Sequence, residues 1–251
     1  MFETDLIYLL LLPIGVIAGY LNVMAGGGSL LTVPTMIFLG MPGEVANGTN
    51  RIAILAQNVS AVSSFHSRGY SDFRLGLTLT ACTIPGAIAG AFAGTIIRGN
   101  SFNWLLAGVM IATMLLMARD KSKAKPAFNL SPRQRQAWGH WLMVAVGFYG
   151  GLIQIGVGLI IMPILYRVMH IDLVRVNMYK VLIVLGFTIV SLVVYAGRLD
   201  LVWLAGLFLA IGNAVGGWIG AHISVTRGEK TIRLLLNMVL VLMIVKLLFF
   251  S

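Results

Sequence analysis

Apolar residues are grouped along this chain into ten runs that are separated by short polar or glycine-containing stretches. The runs cover about residues 6–25, 29–39, 44–66, 73–97, 102–118, 137–155, 158–168, 173–196, 200–223 and 231–250. Eight of them are close to the roughly 20 residues that a helix needs to cross a bilayer. The pattern predicts an all-α polytopic membrane protein of eight to ten segments.

The second and seventh runs are shorter than the others, at about eleven residues each. At a rise of about 1.5 Å per residue, each covers only about half of a 30 Å hydrocarbon core. Each follows a glycine cluster, at 26–28 and 156–158, and each contains a proline, Pro34 or Pro163. Short glycine-preceded segments at corresponding positions are typical of the binding site of a repeat-built transporter. Two ordinary helical hairpins with glycine turns are the alternative.

The two halves of the chain resemble each other at a nearly constant offset. Matching residues lie 129 positions apart in four places: Gly27 and Gly156, Pro34 and Pro163, Val45 and Val174, and Arg51 and Lys180. At an offset of 126, Gly86, Gly90 and Gly94 match Gly212, Gly216 and Gly220. Such glycines also let two helices approach closely, which is their simpler role. We predict two repeats of about five segments, 1–118 and 137–251, each with one short glycine-broken or re-entrant helix, joined by a linker at 119–136.

Composition supports the membrane class, because 59% of the 251 residues are hydrophobic and only 10% are charged. A soluble domain has about a quarter of its residues charged, so a soluble or disordered protein is excluded. The single cysteine, Cys82, excludes an internal disulfide, and the four histidines are scattered, so we expect no metal site and no cofactor. The chain starts with the acidic residues Glu3 and Asp5. A signal peptide has a basic start, so we interpret the first run as a mature helix.

The net charge of +10 would suggest nucleic acid in a soluble protein, but here it indicates basic cytoplasmic loops. The 119–136 linker is strongly basic, and smaller basic clusters lie at 68–74, 167–175 and 227–233. If each half crosses the membrane an odd number of times, all four clusters are cytoplasmic and the N-terminus is outside. Four crossings per half would instead place two clusters outside. The charges therefore favour inverted-topology repeats in the plasma membrane, which we take as a bacterial inner membrane.

Two cations, Arg51 and Lys180, lie about eight residues into long runs, roughly 12 Å from the helix start. An intramembrane cation costs at least about 2.5–3.5 kcal/mol, and it persists when something pairs with it. The runs contain no mid-span carboxylate, so we infer that a bound anion is the partner. A twofold axis between inverted repeats would bring the two cations to one central place. Hydration near a membrane mouth is the alternative.

Neutral polar groups flank these cations and complete the predicted substrate site. The candidates, with Arg51 and Lys180, are Asn22, Asn47, Thr49, Asn50, Gln57, Gln154, Asn177, Gly27, Gly28, Gly156 and Gly158. Amides donate to anion oxygens, and free N–H groups at helix N-termini after the glycines also bind anions. Each amide is equally suited to holding helices together.

The run GYLNVMAGGGSLLTVP at 19–34, followed by LGMPGEVANGTN at 39–50, resembles the sulfite exporter TauE/SafE family. Family members carry a glycine-rich stretch ending in Val-Pro, then Leu-Gly, then an Ala-x-Gly-Thr segment. A weaker second copy runs from Gly150 to Pro163. The resemblance covers nearly the whole chain. It implies membrane passage of sulfite, small sulfonates or organic acids, usually as export.

The sequence therefore predicts a secondary transporter, in the export direction, for a small anion such as sulfite or an organosulfonate. A passive anion channel, or a membrane subunit serving a partner protein, is the alternative. An intramembrane enzyme is not expected, because Ser29 is the only suggestive nucleophile and no histidine lies mid-span to serve it. The pattern leaves the oligomeric state, the coupling ion and the particular anion open.

Overall fold

The computed structural model describes residues 8–118 and 131–224, and this part of the chain forms nine α-helices. They are α1 Leu11–Ala25, α2 Ser29–Phe38, α3 Gly43–His66, α4 Arg74–Ile96, α5 Asn100–Ala118, α6 Pro132–Leu152, α7 Val157–Pro163, α8 Leu173–Ala196 and α9 Trp203–Ser224. A 3-10 turn, Tyr8–Leu10, precedes α1, and a π-helical turn, Ile164–Val168, continues α7. The all-α prediction is confirmed for the described residues. The predicted tenth segment and the 119–130 part of the linker lie outside them.

Helix starts follow local capping chemistry. Ser131 and Gln134 form a reciprocal capping box at the start of α6, and Pro132 follows the cap directly. This signal starts α6 five residues before the first predicted apolar residue, within the stretch assigned to the linker. Asp172 caps α8 by accepting a hydrogen bond of 3.0 Å from the Arg175 N–H.

Four of the described helices, α1 with its 3-10 turn, α4, α8 and α9, are long and apolar enough to span a membrane. The sequence predicts eight spanning runs; the tenth run lies outside the described residues, the apolar part of α5 is short at Asn100–Leu115, and two long helices, α3 and α6, carry many polar residues. The 24-residue α3 buries Asn47, Asn50, Arg51 and Gln57, and α6 begins with a polar turn. A helix that turns polar side chains inward has a low mean hydropathy even where its outer face is apolar. Large apolar side chains do cover the outside of the bundle, as Trp141 shows with 74% exposure.

The closest helix contacts are made through glycine. Gly15 and Gly19 of α1 lie against the backbone of α9, and Gly86 and Gly90 of α4 lie against the backbone of α6. A Cβ atom on any of these four glycines would meet backbone atoms of the facing helix. The packing role predicted for Gly86 and Gly90 is therefore confirmed. One apolar cluster lies around α1, α2 and α5, and a second around α7 and α8.

The order in which residues of two neighbouring helices contact each other shows whether the helices run in the same direction. Later residues of α1 and α3 meet later residues of α9, so these three helices run in one direction. Later residues of α4 likewise meet later residues of α6 and α8. The two groups are antiparallel, because Asn47 near the start of α3 contacts Tyr195 near the end of α8. Helices α1, α3 and α9 therefore run opposite to α4, α6 and α8.

Candidate functional site

Two breaks in the helical backbone meet inside the bundle. The first follows α1, where Gly26 has a φ of +79°, and the second follows α6, where Gln154 has a φ of +60° and Gly156 a φ of +68°. The Gly26 backbone lies against Gly158, so that a Cβ on Gly26 would come within 2.7 Å of the Gly158 Cα. The glycine-preceded short helices predicted from the sequence therefore bring their breaks together in space.

A small cavity lies between the two breaks. Its polar lining consists of Asn22, Ser29, Gln57, Asn58, Gln154 and Lys180, and its remaining wall of Val157, Gly158, Val181 and Val184. The open volume is about 10 Å³, which is about what one water molecule needs. The cavity is thus closed in this structure, and an oxyanion requires the helices around it to move apart.

Lys180 reaches this cavity from α8 and is 2% exposed. Its ammonium group donates to the carbonyl oxygens of Val23 at 2.5 Å and Asn22 at 3.3 Å, and to Asn177 Oδ1 at 2.9 Å. An ammonium has three donors, so these three oxygens match its capacity. Lys180 therefore holds the C-terminal turn of α1 while its charge faces the cavity.

Arg51 makes the equivalent contact from α3 and is fully buried. Its guanidinium donates to the carbonyl oxygens of Gly150 at 3.1 Å and Gly151 at 2.5 Å, and to Gln154 Oε1 at 3.1 Å. The guanidinium carbon also lies 4.3 Å from the centre of the Tyr195 ring. Arg51 therefore holds the C-terminal turn of α6.

Both cations have protein partners in this structure, so their burial does not by itself require a bound anion, and the inference of an anion at the site stays a prediction. The last four carbonyls of a helix have no intrahelical partner and together carry about half a negative charge. A helix broken inside the bundle presents these carbonyls to a buried cation. The side chains in the sequence suggest only carboxylates or bound ligands as partners for a buried cation. They do not indicate backbone carbonyls at a helix end.

The prediction that the two cations lie at one central place stays a prediction. Arg51 is about 12 Å from the start of α3 and Lys180 about 10 Å from the start of α8, and these helices are antiparallel. Gln154 links the two cations, since it accepts from Arg51, donates to Thr188 Oγ1 at 2.7 Å and lines the cavity with Lys180.

The remaining predicted residues lie around the cavity lining and hold its parts. Asn47 donates to the Leu152 carbonyl and to the Tyr195 hydroxyl, and Thr49 Oγ1 accepts from the Val202 N–H. Asn177 accepts from Lys180. Three glycines shape the breaks: Gly27, whose carbonyl accepts from the Leu30 N–H; Gly28, which packs on Ala18; and Gly156, with its positive φ.

Ser29 and Asn58 line the cavity, and the predicted site omits both. The sequence suggests Ser29 only as a nucleophile, although this residue begins the short helix after the first glycine cluster. Asn50, which is among the predicted residues, donates to Ser29 Oγ at 3.3 Å. Asn58 follows Gln57 directly and is one of the polar groups that flank Arg51 in the sequence, but the predicted site includes only Gln57 of this pair.

Two lining residues, Gln57 and Ser29, have donor groups besides the acceptor atoms that bond within the protein. Gln57 Oε1 accepts from Asn22 Nδ2 at 3.1 Å and from Asn213 Nδ2 at 3.4 Å, so its amide nitrogen points away from both. Ser29 Oγ accepts from Asn50, which leaves its hydroxyl proton to donate. Together with the Lys180 charge, and with no carboxylate in the described lining, these donors suit an anion.

Broken helices around a buried polar cavity, inside a bundle with an apolar exterior, define a polytopic membrane transporter. The chain belongs to the sulfite exporter TauE/SafE family, whose sequence model matches residues 11–247. The resemblance predicted from the sequence is confirmed.

Three relatives share this membrane class over nearly their whole lengths. "Probable membrane transporter protein ORF9" of Sinorhizobium sp is 26% identical over 92% of this chain and 88% of its own. "Probable membrane transporter protein YfcA" of Escherichia coli K12 is 25% identical, over 95% and 88%. "Probable membrane transporter protein YunE" of Bacillus subtilis 168 is 26% identical, over 94% and 95%. No solved structure matches the chain.

Proposed function

We propose that the protein is a secondary transporter that exports a small anion, such as sulfite or an organosulfonate, by alternating access around the central cavity. The observation that carries this proposal is the lining of that cavity. Gln57, Ser29 and Lys180 all line it, and they carry an amide donor, a hydroxyl donor and a positive charge. Hydrogen bonds from such donors to a charged acceptor contribute about 1.5–3 kcal/mol each.

Alternating access is supported by the relation between the two halves. Arg51 and Lys180 are 129 residues apart, and so are two of the carbonyls that they bind, those of Gly151 and Asn22. Each cation thus holds the broken helix of the other half. Helices at corresponding places, α3 and α8 or α4 and α9, run in opposite directions, as inverted repeats at 1–118 and 137–251 require.

Export from the cytoplasm of a bacterial inner membrane is supported by charge. One end of the described bundle carries two aspartates and six arginines: Arg68, Arg74, Arg133, Arg135, Arg167 and Arg175. The other end has two arginines balanced by Glu44 and Asp200. The basic end, with the 119–136 linker, is then cytoplasmic. An inside-negative potential favours anion exit by about 2.3 kcal/mol per charge per 100 mV.

The test is sulfite flux in proteoliposomes containing the purified protein or its Gln57→Ala variant. We expect saturable flux with counterflow for the wild type. Loss of a hydrogen bond to a charged substrate should lower kcat/KM by about 10–100-fold in the variant. Ser60→Ala is the matched control, because Ser60 lies on the same helix but bonds the Ala214 carbonyl. Flux that rises linearly with concentration, without counterflow, would support a channel instead.

Sulfate, thiosulfate, taurine and a plain carboxylate extend the same assay to the substrate class. Absence of wild-type flux for sulfite and for all four of these compounds would contradict the proposal. Equal flux through the Gln57→Ala variant would contradict the assignment of the cavity as the substrate site. If the Ser60→Ala control also loses flux, α3 is sensitive to any substitution. The loss in Gln57→Ala would then not show that the cavity binds the anion.

A further inference from the structure

Two helices of this protein end inside the bundle and not at its surface. Helix α1 ends at Ala25 and α6 at Leu152, and both ends lie beside the central cavity. The carbonyls of a final helical turn are partly negative and need donors or cations. In transporters with broken helices, such ends commonly coordinate the coupling ion.

Here the protein's own cations hold both ends. Lys180 binds the Asn22 and Val23 carbonyls of α1, and Arg51 binds the Gly150 and Gly151 carbonyls of α6. The remaining carbonyl at the end of α6, that of Leu152, accepts from Asn47 and from the Tyr195 hydroxyl. A metal ion at these Asn22, Val23, Gly150 or Gly151 carbonyls would have to displace a guanidinium or an ammonium and would be repelled by its charge.

The described residues also offer no carboxylate near these ends. Glu44 lies in the first turn of α3, and Asp72, Asp172 and Asp200 lie in the turns between helices. Glu44 is 8% exposed and accepts from the Gly99 N–H, and the other buried polar residues that the structure describes are neutral amides and hydroxyls and the two cations. The part of the chain that the structure describes thus has neither an anionic ligand for a metal cation nor an acidic proton carrier beside the cavity.

We propose that Arg51 and Lys180 are tethered replacements for a coupling cation, so that the anion is moved without Na⁺ or another metal ion. This inference rests on the proposed transport function and specifies its energy source. The gradient and charge of the anion itself then drive the movement. Both residues act as positioning residues, since they fix the broken helices between which the substrate lies.

The first test is thermal unfolding of the purified protein in NaCl and in N-methyl-D-glucamine chloride at equal ionic strength. We expect the wild type and Lys180→Arg to unfold at the same temperature in both salts. Lys180→Met leaves the α1 carbonyls without a cation, so Na⁺ should raise its Tm selectively, by roughly 4 °C or more at saturation. Selective Na⁺ stabilisation of the wild type, or none of Lys180→Met, would overturn the proposal. If Lys180→Met does not fold, the wild type and Lys180→Arg still decide the matter.

The second test is sulfite flux in the same two salts at a clamped membrane potential. Equal initial rates in both salts are expected, and a rate at least tenfold lower without Na⁺ would overturn the proposal. Absence of flux in both salts would contradict the proposed function instead. The unfolding measurement then still decides whether the helix ends bind the side chains of Arg51 and Lys180 or bind Na⁺.

Discussion

At the scale of single residues, Gln154 is the most constrained part of the site. Its backbone has a φ of +60°, a left-handed conformation that costs a side-chain-bearing residue about 1–3 kcal/mol. Its buried side chain bonds both Arg51 and Thr188. The strain persists because these contacts hold the α6 break in one shape beside the cavity.

Replacing Gln154 separates the backbone strain from the side-chain contacts. Gln154→Ala and Gln154→Gly both lose the contacts to Arg51 and Thr188, so both should lose sulfite flux. Glycine relaxes the positive φ, so Gln154→Gly should be more stable than Gln154→Ala by about 1 kcal/mol, or about 2–4 °C in Tm. Thr188→Val is the control that removes only one of the two contacts. Equal Tm values for the alanine and glycine variants would contradict the left-handed backbone at this position.

The sequence could identify most of the polar interior at this scale. Arg51, Lys180, Gln57 and Gln154 stand out because polar residues are expensive inside an apolar run. The partners of the two cations could not be predicted in the same way. They are backbone carbonyls, which every residue has, and they become available only where the fold breaks a helix inside the bundle.

At the scale of helices, glycine positions determine how closely the bundle packs. On α4, Gly90 lies against the Phe148 carbonyl of α6, whereas a Cβ added at Gly108 on α5 would meet no described atom within 4 Å. Close approach of this kind stabilises helices in a bilayer, where there is little hydrophobic force between them. The same residue type therefore has a packing role in α4 and none among the described neighbours of α5.

Valine at these two positions should have opposite consequences. Gly90→Val forces α4 and α6 apart, and overpacking of this kind costs about 1–3 kcal/mol, seen as a fall in Tm of several degrees. Gly108→Val makes the same change of residue in open space, so its Tm should stay within about 2 °C of the wild type. Thermal unfolding of both variants is the measurement. A similar fall in both would indicate a general effect of valine on helices and contradict the packing argument.

In the described region, the apolar runs predict the number and the type of the helices correctly. They predict the residues at which helices begin and end less accurately. The run pattern gives all nine helices, but α6 begins at Pro132 because of the Ser131 cap. Hydropathy also underestimates α3, since its polar face is buried in the bundle. Local capping decides where α6 begins, and tertiary burial explains the low hydropathy of α3. The mean hydropathy of an apolar run contains neither effect.

At the scale of the whole molecule, charge is distributed unevenly between the two ends of the bundle. The turns at 67–73 and 169–172, together with the start of α6, belong to the arginine-rich end. The turns at 97–99 and 197–202 belong to the balanced end. Lys and Arg hold loops on the cytoplasmic side during insertion. This asymmetry predicts that the arginine-rich end is cytoplasmic.

Single cysteines at opposite ends test that orientation. Cys82 is the single native cysteine, so Ser71→Cys and Ser101→Cys can each be made in a Cys82→Ser background; both serines are exposed. A membrane-impermeant maleimide added to intact cells should label Ser101→Cys, and it should label Ser71→Cys only after permeabilisation. The Cys82→Ser parent is the control for background labelling. The reverse pattern would place the arginine-rich end outside and would contradict the cytoplasmic position proposed for the 119–136 linker.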